Sequence, residues 1–264
     1  MSPSAAATSD AVQEFCYRIV DLVAERVAII KPQIALFEAM GWRGIRALEH
    51  VVQHARSLGL LVLLDAKRGD IAETAEGYAS AYLGPDAPVA VDAVTVNPYM
   101  GCDAVAPFVA AAQTTGRGVV VLVRNSNRGS AAYQHLESPS GRFFEVVARS
   151  LADAEARLVG GETSWSSLGV TVGATSPDDT ERVRSILAHA LFLVLGYGAQ
   201  GARASDAVRG FVHGPCGREG GIVNSSRPIL FPPAGDTDNA SRWQAAVLEA
   251  VERATSELGE AVSR

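Results

Sequence analysis

From residue 11 onward the chain alternates between stretches with apolar residues at helical spacing and short runs that are apolar nearly throughout. The helix-like stretches span 11–26, 36–57, 73–84, 103–115, 142–159, 178–189, 203–212 and 238–260. Between them lie VAIIK (27–31), LVLLD (61–65), VDAVTV (within 90–96), GVVVLV (118–123), LGVTV (168–172), LFLVL (191–195) and GGIVN (220–224). Runs without an exposed face belong to parallel strands covered on both sides. Parallel neighbours need a crossover, here a helix, and such crossovers are right-handed. Two architectures remain: a closed (β/α)8 barrel and an open doubly wound sheet.

Length favours the barrel, since 264 residues are long for an average domain but ordinary for this one. The count gives eight helical segments and seven strands, and the chain opens with a helix. A (β/α)8 barrel needs eight strands, so the one lacking is the first. The expected fold is therefore an α/β (TIM) barrel without its first strand. Either it closes abnormally, or that strand is encoded upstream of Met1. Residues 11–264 are expected to form one domain. The opening MSPSAAATSD (1–10) is small and polar, with neither the basic nor the apolar region of a secretory signal. It is expected to be a disordered tail.

Composition excludes several classes of function. Apolar residues make up 48% of the chain, enough for a sizeable core, and the net charge of −6 argues against a nucleic-acid partner. Cys16, Cys102 and Cys216 are sparse and include no C-x-x-C pair, which fits a reducing, cytoplasmic setting. No apolar run reaches 18 residues, so no membrane span is expected. His50 and His54 lie one helical turn apart, but no third ligand accompanies them. They read as a solvated helix face, and no metal site is expected.

Chemistry in an α/β barrel sits at the carboxyl ends of the strands. Those ends carry Lys31, then Asp65 with Lys67, Thr95 and Asn97, Arg124 and Ser126, Thr175, Gly198 to Gly201, and Ser225 to Arg227. Asp65 and Lys67 are two apart, which on an extended backbone places both on one face. Lys31 ends the neighbouring strand and can reach Asp65, while Asp70 follows the turn at Gly69. A Schiff-base lysine is usually activated by desolvation or a nearby cation. Lys67 has carboxylates beside it and suits a proton donor or a stabiliser of developing negative charge. The glycines of LGYGAQGARA (195–204) leave backbone N–H groups free to meet an anion. Arg227, after the next strand, offers a fork for phosphate oxygens, and barrels often hold phosphate after their last two strands.

Together these residues resemble the orotidine 5′-phosphate decarboxylase family, in its longer bacterial branch, over about residues 13 to 260. The strongest element is D-x-K-x-x-D-I-x-x-T, here Asp65, Lys67, Asp70, Ile71 and Thr74. KPQIALFEAMG (31–41), TVNPYMG (95–101), VLVRNSN (121–127), GVTVGAT (169–175), GAQG (198–201) and NSSR (224–227) support it. The resemblance implies decarboxylation of orotidine 5′-monophosphate to UMP in pyrimidine synthesis. Lys67 would stabilise and protonate the C6 carbanion, and Asp65 would sit near the substrate carboxylate and hold Lys67. Lys31 would complete the charged network and contact ribose. Asp70 and Thr74 would reach the partner site of a homodimer. Asn97 would lie in the substrate site, Ser126 and Gln200 would hold the pyrimidine, and Arg227 with the Gly198 to Gly201 backbone would hold the phosphate. No metal or organic cofactor is implied.

The chain departs from the family in places. It begins after the G-x-D-P-like motif whose aspartate binds ribose. Leu195 stands where Pro is usual, Tyr197 where a smaller aliphatic is common, and Asn125 and Arg128 where Thr and Pro are usual. Three other readings remain at this stage: a sugar-phosphate decarboxylase or aldolase of related fold using Mg²⁺, a non-catalytic nucleotide-binding descendant, and a paralogue acting on a modified uridylate. Ile71, Thr74 and Gln200 favour the nucleotide over the sugar phosphate.

Overall fold

The computed structural model describes residues 5–215 and 217–263; Cys216 lies outside the described residues. One curled sheet contains seven strands: β1 (Ile29–Ile30), β2 (Leu61–Arg68), β3 (Ala93–Val96), β4 (Gly118–Val121), β5 (Ser166–Gly173), β6 (Ala190–Leu195) and β7 (Gly221–Val223). Each pairs in parallel with the next in the chain, so all seven carboxyl ends open on one side. All seven apolar runs are strands, and the architecture is that of an α/β barrel. Among the described residues no strand joins β1 to β7, so the sheet ends on those two.

The strands bury both faces because the side-chain period of two divides their residues between two cores. Leu63, Val120 and Leu193 form a cluster on the inner face, with Ile29, Ala93 and Leu195 packed against it. Their neighbours Val62, Leu64, Val94, Val119, Val121, Phe192 and Val194 belong to the larger core beneath the helices.

The helices that position the site are α1 (Ala5–Val23), α2 (Trp42–Ser57), α3 (Ala72–Leu83), α4 (Cys102–Thr115), α5 (Phe143–Ser150), α6 (Pro177–Ile186) and α7 (Ala240–Ser263). Helix α2 buries Gly44, Ala47, Leu48, Val51, Val52 and Ala55, a stripe at helical spacing. Helix α1 packs on α2 and α7, with Ile19 and Val23 against Val247 and Val251. It thereby links the helices that flank the two ends of the sheet.

Several expectations need correction. Residues 5–10 are the first turns of α1 rather than a tail, as suits the strong helix former Ala at positions 5 to 7; residues 1–4 lie outside the described residues. The stretch 36–57 breaks at Gly41, whose φ of +68° starts α2 afresh. The stretch 142–159 divides at Leu151. The stretch 203–212 shrinks to Ala204–Ala207. Beyond it the chain passes so close to the helix Pro177–Ile186 and the strand β6 that a Cβ on Gly210 would lie 2.5 Å from Thr180 Cγ2 and 2.7 Å from Phe192 Cε2. His50 and His54 face α1 instead of open solvent: His50 Nδ1 is 3.0 Å from Gln13 Oε1, and His54 Nε2 is 2.7 Å from Asp21 Oδ1. No described helix is long and apolar enough to cross a membrane.

Candidate active site

Three strand ends converge on the carboxylate of Asp65, which is only 5% exposed. The first pair of strands continues past β1, where Asp65 N–H donates to Pro32 O at 2.9 Å and Gln33 bridges to Asp65. That extension brings Lys31 Nζ to 2.5 Å and Gln33 Nε2 to 3.2 Å from Asp65 Oδ2. On the other oxygen, Lys67 Nζ donates to Oδ1, joined by Thr95 Oγ1 at 3.1 Å from the end of β3. Two ammonium groups, one amide and one hydroxyl thus saturate a single carboxylate. Burial pushes the Asp65 carboxyl up, but the charges and hydrogen bonds of Lys31 and then Lys67 outweigh this and hold it below the usual aspartate range.

Lys67 reaches Asp65 by a different backbone than extended alternation provides. Its φ is +49°, the left-handed region that a lysine rarely adopts, and it is the one non-glycine residue with positive φ among those described. The register explains this. Leu64 pairs with Val94 and Arg68 with Val96, so Asp65, Ala66 and Lys67 all stand opposite Thr95 alone. Bulges of this kind re-aim side chains beside functional sites. Gln33 was not among the expected site residues, and Thr95 was expected only as a polar strand end with no role of its own. Gln33 is two residues beyond Lys31, the spacing of one strand face, so a signal for it existed. The bulge that makes Thr95 important has no signature in an apolar run.

Asp70 does not join the cluster within one chain. Its Oδ1 accepts from the backbone of Ile71 at 2.9 Å, and it has no ion pair among the described residues. The contiguous network is Lys31–Asp65–Lys67, and Asp70 does not join it within this chain. Thr74 lies exposed on the first turn of α3. The Asn97 side chain accepts from Tyr99 N–H at 3.0 Å, capping the turn Pro98–Met100. Gly69 fits under this turn because a Cβ there would meet Asn97 O at 2.7 Å.

A cavity of about 630 Å³ lies beside the carboxyl ends of β4 to β6. Ser126, Gln200 and Thr175 line it together, so the structure brings the two expected residues Ser126 and Gln200 to one cavity. Gly196, at φ +95°, permits their approach: its missing Cβ would lie 3.2 Å from Gln200 Oε1 and Ser126 Cβ, and 3.4 Å from Thr175 Cγ2. The Ser126 loop is held from behind by buried Arg124. That guanidinium donates to Asp179 Oδ2 at 2.8 Å, Ser130 Oγ at 2.8 Å, Asn125 O at 2.6 Å and Ser176 Oγ at 3.0 Å. Arg124 therefore serves as a scaffold, although its position at a strand end gave it the look of a ligand group. No hydrogen bond among the described residues joins this cavity to the Asp65 cluster.

The glycine loop after β6 stands next to the segment after β7. Gly198 and Gly201 have φ of +70° and +83°, and a Cβ on Gly198 would sit 3.4 Å from Pro228 Cγ. Arg227 is exposed there and has no carboxylate partner among the described residues. The side chain of Tyr197 is buried beneath the loop, and its hydroxyl donates to Glu257 Oε2 of α7 at 2.7 Å. Burial, with Glu257 adding to it, pushes the Tyr197 phenol up to about 12.

The chain matches the model of the family described as orotidine 5′-phosphate decarboxylase / HUMPS over residues 6–240. An orotidine 5′-phosphate decarboxylase of Rhodopirellula baltica is 37% identical over 258 residues, covering 95% of this chain and 83% of the relative. One from Salinispora tropica is 42% identical over 195 residues, covering 74% and 68%. The solved structure of Leishmania donovani OMP decarboxylase superposes with a TM-score of 0.75 at 30% identity, covering 95% of this chain and 89% of that one.

Proposed function

The chain belongs to the orotidine 5′-phosphate decarboxylase / HUMPS family, and we propose that it decarboxylates orotidine 5′-monophosphate to UMP with Lys67 as the proton donor. The observation that carries this reading is the Lys31–Asp65–Lys67 cluster at the mouth of the sheet. The bond between C6 and the carboxylate breaks, CO₂ leaves, and the electron pair stays on C6. The Lys67 ammonium stabilises that charge and then gives its proton to C6. A proton from water restores the ammonium, so the step balances without a metal or cofactor. Asp65 already accepts four hydrogen bonds and is held ionised, which suits it to aim Lys67 and not to donate a proton. Lys31 fixes the other Asp65 oxygen and contacts ribose.

The remaining roles follow the same reading. Ser126 and Gln200 hold the pyrimidine in the cavity they share, with Asn97 at the edge of the site. The Gly198–Gly201 backbone and Arg227 hold the phosphate, and this remote binding energy is used at C6. Asp70 and Thr74 complete the site of a second copy. Apolar Ile71, Tyr99 and Met100 are 54%, 79% and 50% exposed on adjoining loops, a surface that a homodimer would cover. The enzyme works in the cytoplasm. The test is the ultraviolet absorbance change on orotidylate loss with the purified chain. Conversion to UMP is expected; a folded protein that binds orotidylate without turning it over would overturn the catalytic reading in favour of a nucleotide binder.

A further inference from the structure

We infer that Thr95 is the positioning residue that sets the backbone of Lys67 and thereby aims its ammonium. The inference rests on the reading of Lys67 as the proton donor. Three residues of β2, Asp65 to Lys67, face one residue of β3, so the regular ladder cannot supply each of their N–H groups with a strand carbonyl. Buried backbone N–H groups need partners. Thr95 supplies them: its Oγ1 accepts from Ala66 N–H and from Lys67 N–H, each at 2.9 Å. Its single proton goes to Asp65 Oδ1 at 3.1 Å.

This allocation uses the hydroxyl completely. A threonine hydroxyl has one donor and two acceptor sites, and all three are engaged in a residue that is 1% exposed. The ionised Asp65 carboxylate can only accept, so it orients the hydroxyl proton and leaves both lone pairs facing the bulge. Two successive N–H groups drawn to one oxygen curl the chain into the left-handed turn at Lys67, and such strain persists only where its surroundings over-determine it. The same oxygen of Asp65 receives Lys67 Nζ. Thr95 therefore sets the backbone from which the lysine side chain starts and one of the bonds at the carboxylate where it ends.

Thr95→Val keeps the shape and removes the hydroxyl, while Thr95→Ser keeps the hydroxyl. Turnover of orotidylate and amide hydrogen exchange are to be measured for both. For Thr95→Val, kcat is expected to fall about 100-fold, the scale set by misplacing a catalytic group by an ångström. KM should change little, and the Ala66 and Lys67 amides should exchange faster while the rest of β2 stays protected. Thr95→Ser should restore most of kcat and the protection of those two amides. A folded Thr95→Val protein with undiminished kcat, or a loss appearing only in KM, would overturn the inference. If Thr95→Val does not fold, Thr95→Ser decides alone: near-full kcat supports the inference and a comparable collapse refutes it. If the unsubstituted chain turns over no orotidylate, the functional reading fails by itself. The exchange comparison then decides whether Thr95 holds the Lys67 backbone.

Discussion

Lys31 and Lys67 hold opposite oxygens of one carboxylate: Lys31 Nζ lies 2.5 Å from Asp65 Oδ2, and Lys67 Nζ donates to Oδ1. Every lone-pair direction of Asp65 is then used by a donor. Asp65→Asn puts an NH₂ group where one oxygen was, and that group must face either Lys31 and Gln33 or Lys67 and Thr95. Donor meets donor on whichever side it takes. The expected result is a kcat loss of about 10³-fold or more, the upper part of the range for a misplaced acid–base group. Breaking the buried pairing should also cost about 3–5 kcal/mol of stability. Steady-state kinetics and urea unfolding check the two effects separately.

If Lys67 carries the proton as proposed, Lys67→Ala should lose at least 10²- to 10⁴-fold in kcat while still binding UMP. Lys67→Arg keeps a charge but is a poor acid, because guanidinium does not give up its proton in this range. It should recover binding of the anionic intermediate without recovering turnover. Undiminished turnover in Lys67→Ala would remove Lys67 from the mechanism.

What the residue order made legible follows from physical scale. The strands were legible because a segment buried on both faces must be apolar over its whole length, and even the two-residue β1 sits inside VAIIK. Lys31, Asp65 and Lys67 were legible because a charge directly after such a run needs a partner. The bulge at Thr95 was not, since it depends on the register of β2 against β3 and no local property of either run reports register. Helix breaks at Gly41 and Leu151 were hidden by apolar periodicity that continues across them. Arg124 was visible as a charge at a strand end. Its role needed Asp179, 55 residues away, to be seen as its partner.

Tyr197 fastens the glycine loop after β6, the proposed phosphate loop, from below. Its side chain is buried, its chain neighbours Gly196 and Gly198 both have positive φ, and its hydroxyl is 2.7 Å from Glu257 Oε2. A single net hydrogen bond contributes about 0.5–1.5 kcal/mol. Tyr197→Phe should therefore raise KM for orotidylate by about two- to tenfold and leave kcat nearly unchanged. Inhibition by the unphosphorylated nucleoside should not change. An equal weakening of nucleoside and nucleotide would mean that the tyrosine supports the whole fold and not the loop.

Asp179 should make the protein acid-sensitive. Burial pushes its carboxyl up, but Arg124 and then His135 pull it down further, leaving it below the ordinary aspartate value of 3.8. A carboxyl lowered in the folded state contributes stability that is complete above the unfolded value and lost as pH falls through the folded one. Asp65 shares this sign. Asp179→Asn leaves the buried Arg124 without its counter-ion, so it should be about 3–5 kcal/mol less stable at neutral pH. That difference should shrink as pH drops below 3.8. Urea unfolding at a series of pH values measures it, and a pH-independent difference would rule out the ion pair as its source.

Asp70 stands apart from Lys67 within one chain, although Lys67 lies near the end of β2 and Asp70 just beyond it. If Asp70 serves the partner's site, Lys67→Ala and Asp70→Ala chains are each inactive alone but complement one another. In the mixed dimer, one site draws Lys67 and Asp70 from the two substituted positions and is dead. The other draws both from unsubstituted positions and is intact. Random exchange makes half the dimers mixed, so the mixture should regain about a quarter of the unsubstituted activity. If Asp70 instead acts beside Lys67 of its own chain, every site in the mixture keeps one defect and no activity returns. Refolding the two inactive proteins together and assaying orotidylate loss distinguishes these outcomes. The same result would place the exposed Ile71, which follows Asp70 directly in the chain, at or beside the contact between copies.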